Sequence, residues 1–571
     1  MSKKTNLEKI DLIFEDFDMF KVIAKFSTDL VKDCSKSVKN KEDCEIIEND
    51  VRTLSESLAK FLNVSSQQMR CASDAVRMNF NEEKGRVVVA KRDIEAGEVV
   101  MIERAFASWL RPSLYSSYCH HCLLPLREVF HCSDCSLAKF CSTACREDAF
   151  TKYHKIECPY LPVLMYLSSG HLALRILIIS GIRSAIQMLS KEQIPLETYK
   201  NIEHSGDYNS LYSLTDNIDN KSYQMLFPDA FGAAFMTILA HKMGFVAVDD
   251  IRRVGALLLK HISQIWCNVM SISTDKIYET DNIEKTTFFT DSVEIGAGMY
   301  PTICIMNHSC DSNVVNSFSG HVATSTALVK ISSGDELLVT YGPHFKCMSF
   351  KDRQRFLKKR FCFDCRCTAC KEERQNLSHA LLCDLCKGCL ILNTIDCSSE
   401  CLDCGKNENV ASKLHNLEKA NNCVLDYYKC IASDLNNEAF VKLSECYRIL
   451  KETVFESHEL LILVKQELAV MYEKRCRFSI ALQFASEVMD TFKRYDGETS
   501  LSHIYSMLRY VSISLSFAEN EKKGTAEAKE MFDTVVSLMK HVSKKESMLN
   551  AAKHLQVQRE CEFILKRLNT S

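Results

Sequence analysis

The sequence lacks the features that would place it in a membrane, on the secretory route or on nucleic acid. No stretch approaches the roughly 20 uninterrupted apolar residues that span a bilayer, and the longest candidate, residues 171–182, is short and carries Arg175. The N-terminal stretch has neither the apolar core nor the small-residue cleavage site of a secretory signal. A formal net charge of −3 supplies no basic footprint for nucleic acid. We therefore expect a soluble protein of the cytoplasm and nucleus, with no membrane or nucleic-acid partner.

Cysteine is the residue that the sequence has in excess. The chain has 29 cysteines in 571 residues, and most of them fall into three windows, residues 119–158, 310–370 and 383–404. In a reducing compartment such clusters indicate zinc sites more often than disulfides. Hydrophobic residues make up 46% and charged residues 25% of the chain, which is typical of a globular protein and argues against a disordered or fibrous one. At this length we expect three or more domains.

Periodicity divides the chain into β-rich and helical parts. Residues 85–110 and 321–342 are rich in Val and Ile and have Gly97 and Gly334 at turns, so both predict strands. Helical spacing dominates after the first cysteine window and again from Ala411 onward. We expect an α+β multidomain chain whose β domain is assembled from distant pieces. The predicted divisions are a helical segment over 1–80, β material over 81–118, a cysteine module over 119–158, a helical insertion over 159–272, further β material over 273–345, a cysteine segment over 346–375, a second cysteine-rich segment over 376–410 and a helical domain over 411–571.

The first cysteine window has the ligand spacing of two structural zinc sites. Its candidate ligands come in closely spaced pairs, which suits two tetrahedral ions whose positions are all filled by protein. Adjacent pairs are one way to form the sites, but alternate pairing lets two ions brace a fold too small to bury a core. We assign one ion to Cys119, Cys122, Cys141 and Cys145, and the other to Cys132, Cys135, His154 and Cys158. The neighbouring His120, His121 and His131 are expected to face solvent.

Residues 305–313, IMNHSCDSN, pose a choice between a hydrolase and a metal site. A Ser and a His are the pair that a serine hydrolase uses, but Ser309 follows His308 directly, so the two side chains cannot face each other as nucleophile and base. No GxSxG elbow accompanies them. The sequence therefore argues against a hydrolase and leaves Cys310 as a candidate metal ligand.

Four motifs together resemble a known enzyme family. They are EEKGRVVVAKRDIEAGEVV at 82–100, YPTICIMNHSCDSN at 300–313, ELLVTYG at 336–342 and RFCFDCRCTAC at 360–370. This combination is similar to the SET-domain protein-lysine methyltransferases. The first cysteine window resembles a MYND finger, and a MYND finger inserted in a SET sequence is the arrangement of the SET and MYND domain family. Within that family the chain resembles members of the SET and MYND domain protein 4 type.

The resemblance implies a split, pseudoknotted SET β-fold that uses S-adenosylmethionine to methylate lysine in histone or non-histone proteins. It makes Tyr341 the catalytic tyrosine and Phe361 part of a narrow apolar channel that desolvates the substrate lysine and lowers its pKa. The residues at 84–86 would act largely through their backbone. The cofactor contacts that the resemblance implies are Lys84, Gly85, Arg86, Asn268, Asn307, His308, Tyr341, Phe361 and Phe363.

Two more zinc sites are expected further along the chain. Cys310 joins the C-x-C-x2-C segment Cys365, Cys367 and Cys370 in a third site that pins the C-terminal flap over the cofactor pocket, with Cys362 as an alternative ligand. Cys383, Cys386, Cys401 and Cys404 have the spacing of a zinc ribbon, although Cys389 and Cys397 leave the choice of ligands open. The alternative is a loop of free thiols. We expect three zinc ions, and a fourth if the ribbon forms.

The finger and the helical tail predict protein partners. Helical spacing typical of a tetratricopeptide pair is found at Leu468, Ala469, Tyr472, Phe478, Ala481 and Ala485. The resemblance implies that the finger binds proline-containing peptides and that the tail binds other proteins, in a monomer. A second hypothesis is a scaffold or transcriptional corepressor with weak or lost catalysis, because Val87 stands where family members often carry glycine.

Overall fold

The computed structural model describes residues 69–189, 206–282, 285–375, 377–392, 399–521, 525–542 and 551–570. The helical segment predicted over residues 1–80 lies outside the described residues up to position 68. Its end differs from the prediction, because residues 76–81 form a strand. Val76 and Met78 are buried while Arg77 and Asn79 face solvent, which is the alternation of a half-buried strand.

The strands come from distant parts of the chain and meet in one β region. β10, β11 and β3 form an antiparallel sheet, β4, β8 and β7 form another, and β9 runs parallel to β12. The strands are β1 (Val76–Asn81), β2 (Gly85–Ala90), β3 (Val99–Arg104), β4 (Ala107–Leu110), β5 (Phe130–His131), β6 (Lys139–Phe140), β7 (Met270–Asn282), β8 (Lys285–Met299), β9 (Asn307–His308), β10 (Val314–Ser319), β11 (Val322–Ala327), β12 (Leu338–Val339), β13 (Leu381–Leu382), β14 (Cys389–Leu392) and β15 (Ser399–Cys401).

The hairpin of β7 and β8 was not evident in the sequence. Its first strand starts at Met270, so the helical insertion ends before the predicted boundary at 272. The strand sequence MSISTDKIYETDN is mostly polar and shows little of the apolar alternation by which a strand is recognised. β8 holds the hairpin to the β region by pairing with β4, where Ala107 lies opposite Met299.

The helices occupy the insertion, the flap and the C-terminal part. Up to the hairpin they are Thr143–Ala149, Lys155–Glu157, Leu161–Leu164, Ser168–Ser180, Ile182–Leu189, Tyr208–Tyr212, Tyr223–Lys242 and Ile251–Asn268. Beyond it they are Phe350–Phe361, Thr368–Lys371, Ala411–Ala432, Asn436–Thr453, Glu459–Lys474, Phe478–Tyr495, Leu501–Glu521, Ala526–Met539 and Ala551–Thr570. Among the described helices, none is both long and apolar enough to cross a bilayer alone; Ser168–Ser180 and Ile182–Leu189 pass that test only as a pair bent by 98°.

The C-terminal helices pack successively against one another. Leu468 and Ala469 are buried on helix Glu459–Lys474, and Ala481 and Ala485 are buried on the helix that follows. Small residues at these positions let the two helices approach closely. The residues singled out in the sequence therefore lie in a helix–helix interface.

A buried ion pair ties the first cysteine module to the helical insertion. Glu157 is fully buried, and Arg175 on helix Ser168–Ser180 donates to its carboxylate from Nε at 2.9 Å and from Nη2. Arg175 also donates to the carbonyl of Ser108 on β4. Burial alone would raise the pKa of Glu157, but Arg175 and His171 lower it below its ordinary value. The pair therefore joins three parts of the chain through charges that water does not reach.

We expect Arg175→Met to lower the free energy of unfolding by about 3–5 kcal/mol, because it leaves the Glu157 carboxylate buried without its cation. Arg253→Met is the matched control, since Arg253 pairs with Asp250 at 3.1 Å near the surface, where an ion pair contributes about 1 kcal/mol or less. Chemical denaturation of both variants measures the difference. Equal losses of stability would contradict the role given to Arg175.

Candidate active site

The loop that leads into β2 presents backbone rather than charged side chains. Gly85 has a φ of +73°, in the left-handed region that favours glycine. Lys84 Nζ lies 2.6 Å from Glu336 Oε2, and the Arg86 guanidinium donates to the hydroxyl and to the carbonyl of Ser213, each at 2.9 Å. Both cations are therefore committed to protein partners, and the loop offers peptide groups to the site.

The parallel pairing of β9 with β12 brings Tyr341 beside residues 307–310, which we call the NHSC motif. The Tyr341 N–H donates to His308 Nδ1 at 3.0 Å, and the Tyr341 hydroxyl donates to the Met306 carbonyl at 2.9 Å. Burial raises the pKa of Tyr341 well above its ordinary value, so its hydroxyl stays protonated at neutral pH. Burial also lowers the pKa of His308 to about 4, which leaves its ring neutral. The tyrosine is thus fixed at both its backbone and its hydroxyl.

Glu336 joins the loop before β2 to the NHSC motif through Lys84 and Asn307. The sequence analysis did not single out this residue. Asn307 Nδ2 donates to Glu336 Oε1 at 2.9 Å and to the Arg86 carbonyl at 3.1 Å. The other carboxylate oxygen of Glu336 receives Lys84 Nζ. An acidic residue at the start of a strand usually indicates a solvent-facing position, and only the fold reveals that this one is shared by two motifs.

The two candidate asparagines are held through their amide nitrogens. Asn268, at the end of helix Ile251–Asn268, donates from Nδ2 to the carbonyls of Thr215 and Gln264, both at 2.8 Å. Asn307 likewise donates from Nδ2 to two acceptors, the Arg86 carbonyl and Glu336 Oε1. Within the described part of the chain neither amide oxygen accepts a hydrogen bond, so each remains available to a donor group such as an ammonium.

The flap, which comprises residues 350–371 with helices Phe350–Phe361 and Thr368–Lys371, brings two aromatic rings close to Tyr341 and His308. Helix Phe350–Phe361 ends with its last ring 4.9 Å from that of Tyr341, measured between centroids. The ring of Phe363 lies 6.2 Å from that of His308. The sequence-predicted aromatic residues therefore form an apolar wall beside the tyrosine and the histidine.

Four cysteines connect the flap to the NHSC motif. The sulfur atoms of the third predicted set lie within 4.8 Å of one another, and those of Cys310 and Cys370 are 3.5 Å apart. Cys362, the alternative ligand, lies outside this set and caps helix Phe350–Phe361 with a φ of +62°. Arg353, on helix Phe350–Phe361, is fully buried and donates to the carbonyls of Met348, Ala369 and Arg374.

The structure brings together the other three predicted sets as well. In the first module the ligand atoms interleave by alternate pairs, Cys119, Cys122, Cys141, Cys145 in one group and Cys132, Cys135, His154, Cys158 in the other. The fourth group is Cys383, Cys386, Cys401 and Cys404. Sulfur and imidazole donors in sets of four are the donors that zinc prefers in tetrahedral structural sites, so their chemistry fits that ion.

The prediction that the spare histidines of the first module face solvent is wrong for His120. Its side chain is 2% exposed. Its ring centroid lies 4.5 Å from that of Tyr115 and 6.4 Å from that of Phe140, in T-shaped arrangements. His121 is partly buried, and His131 is exposed as expected. Neighbouring aromatic side chains supply a packing surface that ligand spacing does not reveal.

Comparison with known proteins shows similarity to SET-domain proteins. A family model for the SET domain matches residues 85–342. Human protein-lysine N-methyltransferase SMYD4 is 27% identical over 394 residues, covering 56% of this chain and 48% of its own length. The mouse SMYD4 protein is 26% identical over 486 residues, covering 72% and 60%. Mouse histone-lysine N-methyltransferase Smyd1 is 24% identical over 312 residues, covering 52% and 56%.

The alignments cover about half of the length of these curated relatives, from 48% to 60%. Among solved structures, a SET domain of LSMT bound to lysine and AdoHcy matches with 10% identity and a TM-score of 0.23, covering 55% of this chain and 58% of its own. That score is too low to support an argument. Residues 85–342 thus match the SET domain, and the chain is similar to the SMYD proteins named above.

Proposed function

We propose that the chain is an S-adenosylmethionine-dependent N-methyltransferase that acts on lysine in histone or non-histone proteins. The observation that carries the proposal is the meeting of Tyr341, the NHSC motif and the aromatic flap at one place. The names of the SET-domain relatives, which are protein-lysine and histone-lysine methyltransferases, support it.

Lysine must lose a proton before it can accept a methyl group. Its free pKa is about 10.4, so it is charged at neutral pH and its nitrogen has no lone pair to offer. An apolar surrounding disfavours the charged form and lowers that pKa. The rings of Phe361 and Tyr341 provide such a surrounding, because they lie 4.9 Å apart at the end of the flap helix.

S-adenosylmethionine would supply a methyl group activated by its sulfonium. The residues that would hold it are the 84–86 backbone, Asn268, Asn307, His308, Phe361 and Phe363. The amide oxygens of Asn268 and Asn307 suit an amino-acid ammonium because they are acceptors without a donor among the described residues. The aromatic rings of the flap suit a flat adenine.

Tyr341 would position the substrate amine. Its hydroxyl proton is directed to the Met306 carbonyl at 2.9 Å, which leaves the lone pairs of the oxygen to accept a hydrogen bond from a lysine nitrogen. Holding the amine in line with the methyl group lowers the entropic barrier of the transfer.

We also propose zinc in the first three cysteine sets, as the sulfur and imidazole donors favour. The first two would make the module over 119–158 a MYND finger that binds proline-containing peptides, and the third would hold the flap. The helical part beyond Ala411 would be a tetratricopeptide-like lobe that binds other proteins. We expect the protein to act as a monomer in the cytoplasm and nucleus.

We expect Tyr341→Phe to reduce methyl transfer from labelled S-adenosylmethionine to protein lysine by about 100-fold, because the amine loses its hydrogen-bond acceptor. Cofactor affinity, measured by calorimetry, should change little. Tyr300→Phe is the matched control: Tyr300 is also buried and donates to a backbone carbonyl, that of His321, at 3.2 Å. It should cost similar stability and leave transfer intact.

Full activity in Tyr341→Phe would reject the role given to the tyrosine. Absence of transfer by the unmodified protein to any lysine substrate, with cofactor bound, would favour a scaffold or corepressor instead.

We expect Cys367→Ser to remove one zinc ion and to weaken cofactor binding by at least about tenfold, because metal binding is coupled to local folding and the flap would lose its hold. Cys132→Ser should also lose zinc but keep cofactor affinity. Cys347→Ser, an exposed cysteine outside the four sets, controls for the loss of a thiol. Elemental analysis and calorimetry measure both quantities, and unchanged values for Cys367→Ser would show that the third set is wrongly assigned.

A further inference from the structure

The fourth cysteine set lies outside the SET match and has its own place in the fold. We name residues 381–406 the ribbon; they contain β13, β14 and β15, which form one antiparallel sheet. The sulfur of Cys383 lies 3.8 Å from that of Cys404, and the sulfur of Cys386 lies 3.5 Å from that of Cys401. Tetrahedral zinc bonded to sulfur at about 2.3 Å requires sulfur–sulfur separations of about 3.8 Å, so the spacing suits one ion.

The two turns that carry these cysteines have the same backbone arrangement. In each turn the N–H of the first cysteine donates to the carbonyl five residues later, at 3.0 Å for Cys383 and 2.9 Å for Cys401. The N–H four residues later donates back to the carbonyl of that cysteine, at 3.0 Å and 2.8 Å. Two turns that repeat one geometry and face each other with their sulfurs indicate a shared ligand.

A left-handed residue marks both turns, and the first module repeats it. The residue after the second cysteine is left-handed, Lys387 with a φ of +60° and Gly405 with a φ of +68°. In the first module Leu123 has a φ of +60° and donates to the carbonyl of Cys119 at 3.0 Å, in the same relation. A non-glycine residue with left-handed backbone angles costs roughly 1–3 kcal/mol. We attribute that cost to the function of the turn, which is to position the two cysteine sulfurs.

The choice among the six cysteines of this window is now narrower. Cys389 is buried in a small core with Ala380 and Ile391 and is not one of the four cysteines whose sulfurs converge. Its N–H donates to Asp403 Oδ2 at 2.6 Å, which links the two turns. A Cβ on Gly388 would lie 2.1 Å from the same carboxylate oxygen, so glycine is required there. Cys397 lies outside the described residues.

Charged side chains around the set connect it to the first C-terminal helix. Glu408 Oε1 is 2.9 Å from Cys383 Sγ and also accepts the N–H of Asp384 at 2.9 Å. Lys413, on helix Ala411–Ala432, is 4% exposed and lies 2.5 Å from Asp384 Oδ1. Lys413 also lies 3.6 Å from Glu408 Oε2, so this lysine joins the helix to both carboxylates beside the cysteine set.

Backbone contacts at the start of the ribbon and just before it also join it to the connection between helices Asn436–Thr453 and Glu459–Lys474. Leu381 pairs with Val454 as an antiparallel bridge, the Phe455 N–H donates to the Ala380 carbonyl at 3.0 Å, and the Glu459 N–H donates to the Ser378 carbonyl at 2.9 Å. Two of the four ligands are part of the same apolar core as these helices, namely Cys383 and Cys401. An ion in the ribbon would therefore order the start of the helical lobe.

We propose that Cys383, Cys386, Cys401 and Cys404 bind a zinc ion, and that this ion fastens the helical lobe to the rest of the chain. The site is structural, because protein fills all four positions. Neither the methyltransferase activity nor the flap is needed for the argument.

The test is native mass spectrometry of the full chain purified with zinc. The unmodified protein should carry four ions and Cys386→Ser should carry three; Cys386 is exposed, so its loss leaves the lobe core in place. Cys347→Ser is the control and should carry four. Hydrogen exchange should accelerate in Cys386→Ser at the turn amides of the ribbon and at those of Phe455 and Glu459.

Each outcome decides one part of the proposal. An equal number of ions in the unmodified protein and in Cys386→Ser would overturn the metal site. Loss of one ion with unchanged exchange at Phe455 and Glu459 would overturn the fastening role. Neither readout depends on methyl transfer, so failure of the proposed enzymatic function would leave this result intact.

Discussion

The contact between Cys310 and the cysteines of the flap is the constraint on which the candidate active site depends. The buried core of the flap consists of Leu357, Ala369 and cysteines of this set. Partly buried aromatic side chains, Phe361 and Phe363 among them, pack against that core. Cys310 adds a tie between the core and the motif that contains His308. Because Cys310 follows the NHSC histidine by two residues, that tie reaches directly into the site.

A second constraint is that side-chain N–H groups satisfy the backbone carbonyls of residues 211–215. Gln264 donates to the carbonyls of Leu211, Tyr212 and Leu214, Asn268 donates to that of Thr215, and Arg86 donates to that of Ser213. One irregular stretch of backbone thus takes up donors from the helical insertion and from the loop before β2. Buried carbonyl groups are satisfied in this way, and the contacts fix the side chain of Asn268 through its Nδ2.

The sequence predicted the convergence of the four cysteine sets better than the chain path between them. Cysteine spacing is local, and sulfur ligands must converge, so the four sets were recognisable without a fold. The polar hairpin of β7 and β8, the strand β1 and the packing of His120 depend on tertiary neighbours, and no local period reports them. Glu336 is of the same kind, since its role arises only where two distant motifs meet. Val87 is buried in β2 opposite Asn79, so its side chain packs within the fold.

Calorimetric titration of the zinc-loaded protein with S-adenosylmethionine tests the central claim most directly. If the asparagine oxygens, the backbone at 84–86 and the aromatic flap form a cofactor pocket, the titration should show saturable binding at one site, and S-adenosylhomocysteine should displace the ligand. A zinc-loaded, folded protein that binds neither compound would contradict the account.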